Sequence, residues 1–146
     1  MPPLQTRRRV EFRDTDAAGI VHFSAFFVWM ESAEHELLRA AGVSLMERGD
    51  DGVDCSWPRV AATCEYTAAV RFGDEVDITV CVEALGRTSV TYGFVFKHHE
   101  TEVANATIVA VRCRLPPGGR PEPIPISPDV AARLEVFMPG QPKSNA

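Results

Sequence analysis

Two carboxylates, a glycine and an imidazole, Asp14, Asp16, Gly19 and His22, stand close together in DTDAAGIVH, immediately ahead of the apolar run FSAFFVWM. An aspartate just before a helix faces free backbone N–H groups and the positive end of the helix dipole, both of which stabilise negative charge. One use of this is conformational, with both aspartates closing turns and capping the helix. The other is chemical: Asp16 as a base or nucleophile, and the exposed N–H groups of the helix start as an oxyanion hole for a carbonyl under attack. Gly19 lets the backbone approach a bound molecule closely. His22 is either a hydrogen-bonded structural ring or part of a pocket lining. Glu31, about two turns into the helix, meets His22 or a bound water, or pairs at i,i+4 with His35. A metal site drawn from Asp14, Asp16, His22 and Glu31 has no recognised ligand spacing, and no metal is expected.

Other chemistries lack their motifs. Gly42-Val43-Ser44-Leu45-Met46 has no closing glycine for a nucleophile elbow, and neither a Walker loop nor G-x-G-x-x-G occurs. The four cysteines, Cys55, Cys64, Cys81 and Cys113, form no C-x-x-C pair, which predicts reduced, interior thiols. A net charge of -5 disfavours nucleic acid and anionic membranes, and Arg7-Arg8-Arg9 is too short to reverse that. The N-terminal MPPLQTRRR offers no signal-peptide core and no stretch approaches a membrane span, so a soluble cytoplasmic protein is expected.

The elements that must position these residues follow from periodicity. Phe26, Met30, Ala33, Leu37 and Ala40 or Ala41 recur at helical spacing from Ser24 to Ala41, with Glu34, His35 and Arg39 off that face. Ser24 is the expected N-cap and Gly42-Val43 the C-terminal stop. Phe26-Phe27-Val28-Trp29-Met30 is apolar all round, which requires a surrounding sheet. EVDITVCVE sets Val76, Ile78, Val80 and Val82 on one face, and SVTYGFVFK does the same with Val90, Tyr92, Phe94 and Phe96. VANATIVAVRCRL predicts one long strand with Val103, Val109, Val111, Cys113 and Leu115 on one side. RVAATCEYTAAV is a weaker strand, Arg8 to Phe12 a first one, 48–57 a loop, and PPGGRPEPIPISP an extended surface segment. Ser127-Pro128 opens a short helix with Val130, Leu134 and Phe137 on one face. Short connections near Leu85-Gly86 and His98-His99 make the sheet largely antiparallel and the class α+β. One domain over 1–138 and a frayed tail over 139–146 are expected.

EFRDTDAAGIVHFSAFFVWMESAEHELL resembles the N-terminal signature of the 4-hydroxybenzoyl-CoA thioesterase family: Asp-x-Asp, two residues, Gly, an aliphatic pair, an aromatic or His, then a long helix bearing a Glu. CEYTAAVRFGDEVDITV, GRTSVTYGFVF and PIPISPDVAARLEVF resemble the family's later blocks, so the likeness runs from about Arg8 to Phe137. The resemblance implies a hotdog fold, an antiparallel sheet wrapped around a central helix. It implies dimers joined edge to edge, often paired into tetramers, with acyl-CoA bound across the interface and coenzyme A entering only as part of the substrate. Asp16 corresponds to the family's catalytic carboxylate, and its oxyanion donor falls at the backbone amide of Phe23 or neighbouring His22. Arg87, Thr88 and Ser89, then Arg71, are the implied contacts for coenzyme A phosphates. Where the family commonly has Tyr and a polar neighbour, this chain has Phe26 and Ala25, which implies a more apolar acyl pocket. Two rivals remain in the same fold: a hydratase or dehydratase using His22 and Glu31 as an acid/base pair, and a non-catalytic acyl-CoA or acyl-carrier binder.

Overall fold

The computed structural model describes residues 3–140. In chain order its elements are strand β1 (Leu4–Arg9), helix α1 (Phe23–Ala41), strands β2 (Glu47–Arg48), β3 (Asp54–Ser56), β4 (Arg59–Tyr66), β5 (Glu75–Leu85), β6 (Ser89–His98), β7 (Thr101–Val111), β8 (Cys113–Leu115) and β9 (Glu122–Pro123), and helix α2 (Pro128–Glu135). The main sheet has the order β1-β5-β6-β7-β4 with antiparallel neighbours throughout. A smaller sheet, β2-β3-β8-β9, gathers the short strands.

Alternation does what it predicts in the two central strands. Val76, Ile78, Val80 and Val82 of β5, and Val90, Tyr92, Phe94 and Phe96 of β6, are all buried on one face. Helix α1 lays Phe26, Trp29, Met30, Ala33, Leu37 and Leu38 against that face. Met30 and Leu37 have no exposure at all, and burial of such a side chain stabilises by about 2 kcal/mol. The product is the hotdog arrangement, a sheet around one helix, in an α+β chain. Helix α2, capped by Ser127 accepting from the Val130 N–H, adds Leu134 to the same core, and Phe137, expected on the helix, follows its end at Glu135 and is buried there too.

Several boundaries differ from the expectation. The first strand ends at Arg9 instead of beginning at Arg8, and Phe12–Asp14 forms a 3-10 turn closed by the Asp14 carboxylate on the Glu11 N–H. The 48–57 region carries the end of β2 and all of β3, because β3 pairs with β2 and with β8. The expected long strand over 103–115 breaks at Arg112, whose N–H donates to Thr88 and whose carbonyl accepts from Ile124. A bulge opposite Phe96 and Lys97 leaves Val103 unpaired, and the phase flips behind it. Ala104, Ala106, Ile108 and Ala110 therefore face inward, while Val109 and Val111 turn to the outer face.

Helix α1 departs in two ways. Val28 is 68% exposed, so the sheet does not enclose the first half on every side. Glu34, expected off the apolar face, is wholly buried and accepts a 2.7 Å hydrogen bond from the Arg59 guanidinium at the start of β4. Burial raises the Glu34 pKa, and the opposing pull of Arg59 only partly offsets it. Cys113 is buried and the other three thiols are half-buried, all unbonded. No helix among the described residues is long and apolar enough to cross a membrane. Of the expected tail, residues 141–146 lie outside the described residues.

Candidate active site

The loop between β1 and α1 is anchored on the segment just before β5. Val10 exchanges hydrogen bonds with Asp74 and Gly73, Ile20 bridges to Arg71, and the Val21 N–H donates to Val70. Within the loop, the Asp16 N–H donates to Ile20 and the Gly19 N–H to the Asp16 carbonyl. Gly19 has φ 78°, a left-handed conformation that glycine adopts without strain. The Asp14 carbonyl accepts from the His22 N–H at 2.7 Å, which brings the far end of the loop back to its beginning.

The two aspartates are used differently. Asp14 Oδ2 caps the 3-10 turn through the Glu11 N–H at 2.8 Å. Asp16 Oδ1 accepts from the Ala18 N–H at 2.8 Å, an Asx-turn contact, and its Oδ2 has no partner among the described residues. Asp16 thus fills its conformational role with one oxygen and keeps the other available.

His22, not Ser24, is the N-cap of α1. Its Nδ1 accepts from the Ser24 N–H and lies 2.7 Å from Ser24 Oγ, so a neutral ring carries its proton on Nε2. The Ala25 N–H donates to the His22 carbonyl. Of the amides from His22 to Ala25, only that of Phe23 is left without a partner among the described residues.

Asp16 borders two clefts. One, of about 280 Å³, is lined by Asp16, Phe23, Phe26, Tyr66 and the aliphatic residues Ile20 and Val70. The other, of about 470 Å³, lies between Asp16, Gly19 and the rings of Phe12 and Phe72. Those rings meet edge to face at 6.3 Å and are 79% and 61% exposed. A larger groove of about 900 Å³ runs along Arg7, Arg8, Arg9, Arg13 and His22. It does not include Asp16, and its strand arginines are already neutralised: Arg7 by Glu75 and Asp77, Arg8 by Glu36, Arg9 by Glu75.

The sequence pattern of the Thioesterase-like superfamily matches residues 10–134. A 1,4-dihydroxy-2-naphthoyl-CoA hydrolase from Prochlorococcus marinus is 30% identical over 129 residues, covering 79% of this chain and 85% of its own. Among solved structures, a hypothetical protein from Aquifex aeolicus superposes with a TM-score of 0.78 at 30% identity, over 90% of this chain and 99% of that one. A gentisyl-coenzyme A thioesterase does so with a TM-score of 0.75 at 25% identity, over 90% and 99%. The chain belongs to the thioesterase-like superfamily. Thioester hydrolysis is therefore the reaction whose demands the site has to meet.

For a thioesterase of this superfamily those demands are few. The thiolate leaves readily, so the principal tasks are to activate the attacking group and to stabilise charge on the carbonyl oxygen. Asp16, whose Oδ2 is unpartnered, and Phe23, whose N–H is free, both line the same apolar cleft. Phe26 forms its floor with 3% exposure, edge to face with Trp29, Tyr66 and Phe96.

The structure gathers Asp16, Gly19, His22, Phe23, Phe26 and Arg71 at one end of the sheet. Arg71 reaches the loop, since a Cβ on Gly19 would sit 3.9 Å from its Nη1. Glu31 is exposed and, nine residues beyond His22, lies about 13 Å along the helix axis from it. It acts on the His35 side, where its charge opposes the lowering of that imidazole's pKa by burial and Arg59. Arg87, Thr88 and Ser89 sit at the β5–β6 turn, the other end of the sheet. Along β5 that is roughly 30 Å from the Asp16 loop, at about 3.3 Å per residue. Sequence reasoning missed Tyr66, which closes β4 and enters the cleft beside Phe26. No periodicity distinguishes it from the exposed residues around it.

Proposed function

We propose that this enzyme hydrolyses an aroyl-CoA thioester to the free acid and coenzyme A, in kinship with the 4-hydroxybenzoyl-CoA thioesterases. The observation that carries the reading is that Asp16, with an unpartnered carboxylate oxygen, and Phe23, with an unpartnered helix-start amide, line one apolar cleft. The carbonyl oxygen binds at the Phe23 amide. Asp16 either takes a proton from an attacking water or attacks the carbonyl itself to give a mixed anhydride that water then opens. Either route forms a tetrahedral oxyanion that collapses with expulsion of the coenzyme A thiolate.

An aromatic acyl group fits the cleft. A cavity of about 150 Å³ already accommodates a benzene ring, and about 280 Å³ bounded by Phe26, Tyr66 and aliphatic side chains leaves room for ring substituents or a second ring. The relatives named for 1,4-dihydroxy-2-naphthoyl-CoA and gentisyl-CoA act on aroyl thioesters too. The separation of His22 from Glu31, together with the use of His22 Nδ1 as a cap, speaks against the hydratase reading.

The working unit in this reading is a dimer paired through β4. The free edge of β1 carries Arg7, Arg8 and Arg9, whereas β4 is uncharged from Val60 to Cys64 and Val60 is 63% exposed. Charged edges resist strand addition and uncharged ones invite it. Antiparallel self-pairing of β4 brings the far end of the partner's sheet to the Asp16 end of the first. Arg87, Thr88 and Ser89 of the partner subunit then serve the coenzyme A phosphates, a role they cannot fill within their own chain.

The test is thiol release from a panel of aroyl- and aliphatic acyl-CoAs by wild-type enzyme and Asp16→Asn. Aroyl-CoAs should give the highest kcat/KM, and the variant should lose at least about 100-fold in kcat with its melting temperature unchanged. Normal turnover by the folded variant would remove the mechanism.

A further inference from the structure

Tyr66 makes one hydrogen bond of consequence for the site: its hydroxyl donates to the Phe23 carbonyl at 2.9 Å. Its ring meets Phe26 edge to face at 5.2 Å, one helical turn below the free amide. Tyr66 is itself the last residue of β4, paired with Ala104 of β7. One side chain thus ties the first turn of α1 to the edge of the sheet at two points, through the backbone of Phe23 and the ring of Phe26. Within the turn the Ser24 N–H bonds the His22 ring and the Ala25 N–H bonds the His22 carbonyl, and His22 to Asp14 and Val21 to Val70 anchor it upstream; Tyr66 is what ties it to β4.

We infer that Tyr66 is a positioning residue for the oxyanion-binding amide: by holding the Phe23 carbonyl, one peptide plane on from the Phe23 N–H, it fixes where the backbone of residue 23 sits and so where its N–H points when the tetrahedral intermediate forms. The inference rests on the Asp16 and Phe23 reading above. An oxyanion donor acts only if its N–H points to where the oxygen sits in the transition state, and a small misplacement is costly. Helix ends fray, and here the His22 cap is supplemented by a phenol that holds the Phe23 carbonyl from the neighbouring strand. The hydroxyl stays protonated as a donor across any working pH, because desolvation first and Cys64 second push its pKa up to about 12. Tyr66 also borders the cleft, so the ring that holds the amide forms part of the wall that the acyl group meets.

The experiment compares wild type, Tyr66→Phe and Asp16→Asn on the aroyl-CoA with the highest kcat/KM in the panel, with thermal melts on each. Tyr66→Phe keeps the ring and its contact with Phe26. The expected result is a fall in kcat of about five- to tenfold, the scale of one neutral hydrogen bond, with KM within about twofold and an unchanged melting temperature. Unchanged kcat in Tyr66→Phe beside an inactive Asp16→Asn overturns the inference while leaving the thioesterase reading standing. A kcat loss accompanied by an equal rise in KM, or by a lowered melting temperature, also overturns it, since substrate contact or general stability then accounts for the effect. If Asp16→Asn is fully active, the underlying reading fails and the inference with it.

Discussion

Asp14 and Asp16 are the same side chain two positions apart, and their hydrogen bonds divide their work. Asp14 holds the Glu11 amide with its carboxylate and the His22 amide with its carbonyl, so the loop closes through it. Removing the cap with Asp14→Ala should therefore cost stability, about 1 kcal/mol, or a fall of roughly 2–8 °C in Tm. Activity should remain within about tenfold of wild type. Calorimetry and thiol release on the same sample check both, and a loss of turnover as deep as in Asp16→Asn would show that the division is wrong. At this scale the sequence disclosed the residue types but not the allocation of individual oxygens and amides. Asp-x-Asp and Gly19 were visible ahead of the helix, yet nothing in the letters separates an oxygen used by Ala18 from one left open. The N-cap, expected at Ser24, falls at His22 for a related reason. Serine is the commoner cap, and only the three-dimensional turn puts the imidazole where it accepts the Ser24 amide.

Helix α1 and strand β4 are joined by a buried charge, and the pH dependence of stability should report it. The folded pKa of Glu34 is raised, chiefly by burial, so the native state favours its protonated form more than the unfolded chain does. Stability from this group is fully present below the unfolded glutamate value near about 4.3 and is lost as pH rises through the folded value. Glu34→Gln removes that titration. The melting temperature of the variant minus that of wild type should accordingly grow more positive from about pH 4 toward neutrality, and a difference that shrinks over the same range would show that Arg59 more than compensates burial. Elements with two contrasting faces, β5 and β6, could be read residue by residue. Strand β7 could not, because the bulge at Val103 reverses its phase and no residue type marks the site. Glu34 was placed off the core because its partner, Arg59, is 25 residues away in sequence and invisible to a local pattern.

At the scale of the whole molecule, the hotdog arrangement follows from patterns distributed along the chain, whereas the assembly depends on an edge that periodicity alone does not single out. The contrast between the charged edge of β1 and the uncharged edge of β4 predicts a mass in solution of at least twice 16.0 kDa. It also predicts complementation. Asp16→Asn and Arg87→Ala chains, each impaired alone, should recover turnover with wild-type KM when mixed and re-paired, because one site of the mixed dimer draws Asp16 from one chain and Arg87 from the other. Recovery should approach half of wild type per mixed dimer, measured as thiol release at low aroyl-CoA concentration, and no recovery would place both groups in one chain. The separation of the Asp16 loop and the Arg87 turn at opposite ends of the sheet has a genetic corollary. In a dimer whose sites are shared this way, a chain bearing both substitutions, paired with a wild-type chain, would spoil both sites: one would lack its carboxylate and the other its arginine. If the site is shared in this way, such an allele should be dominant negative in a co-expression assay, while Asp16→Asn alone should leave one complete site in every heterodimer and be close to recessive.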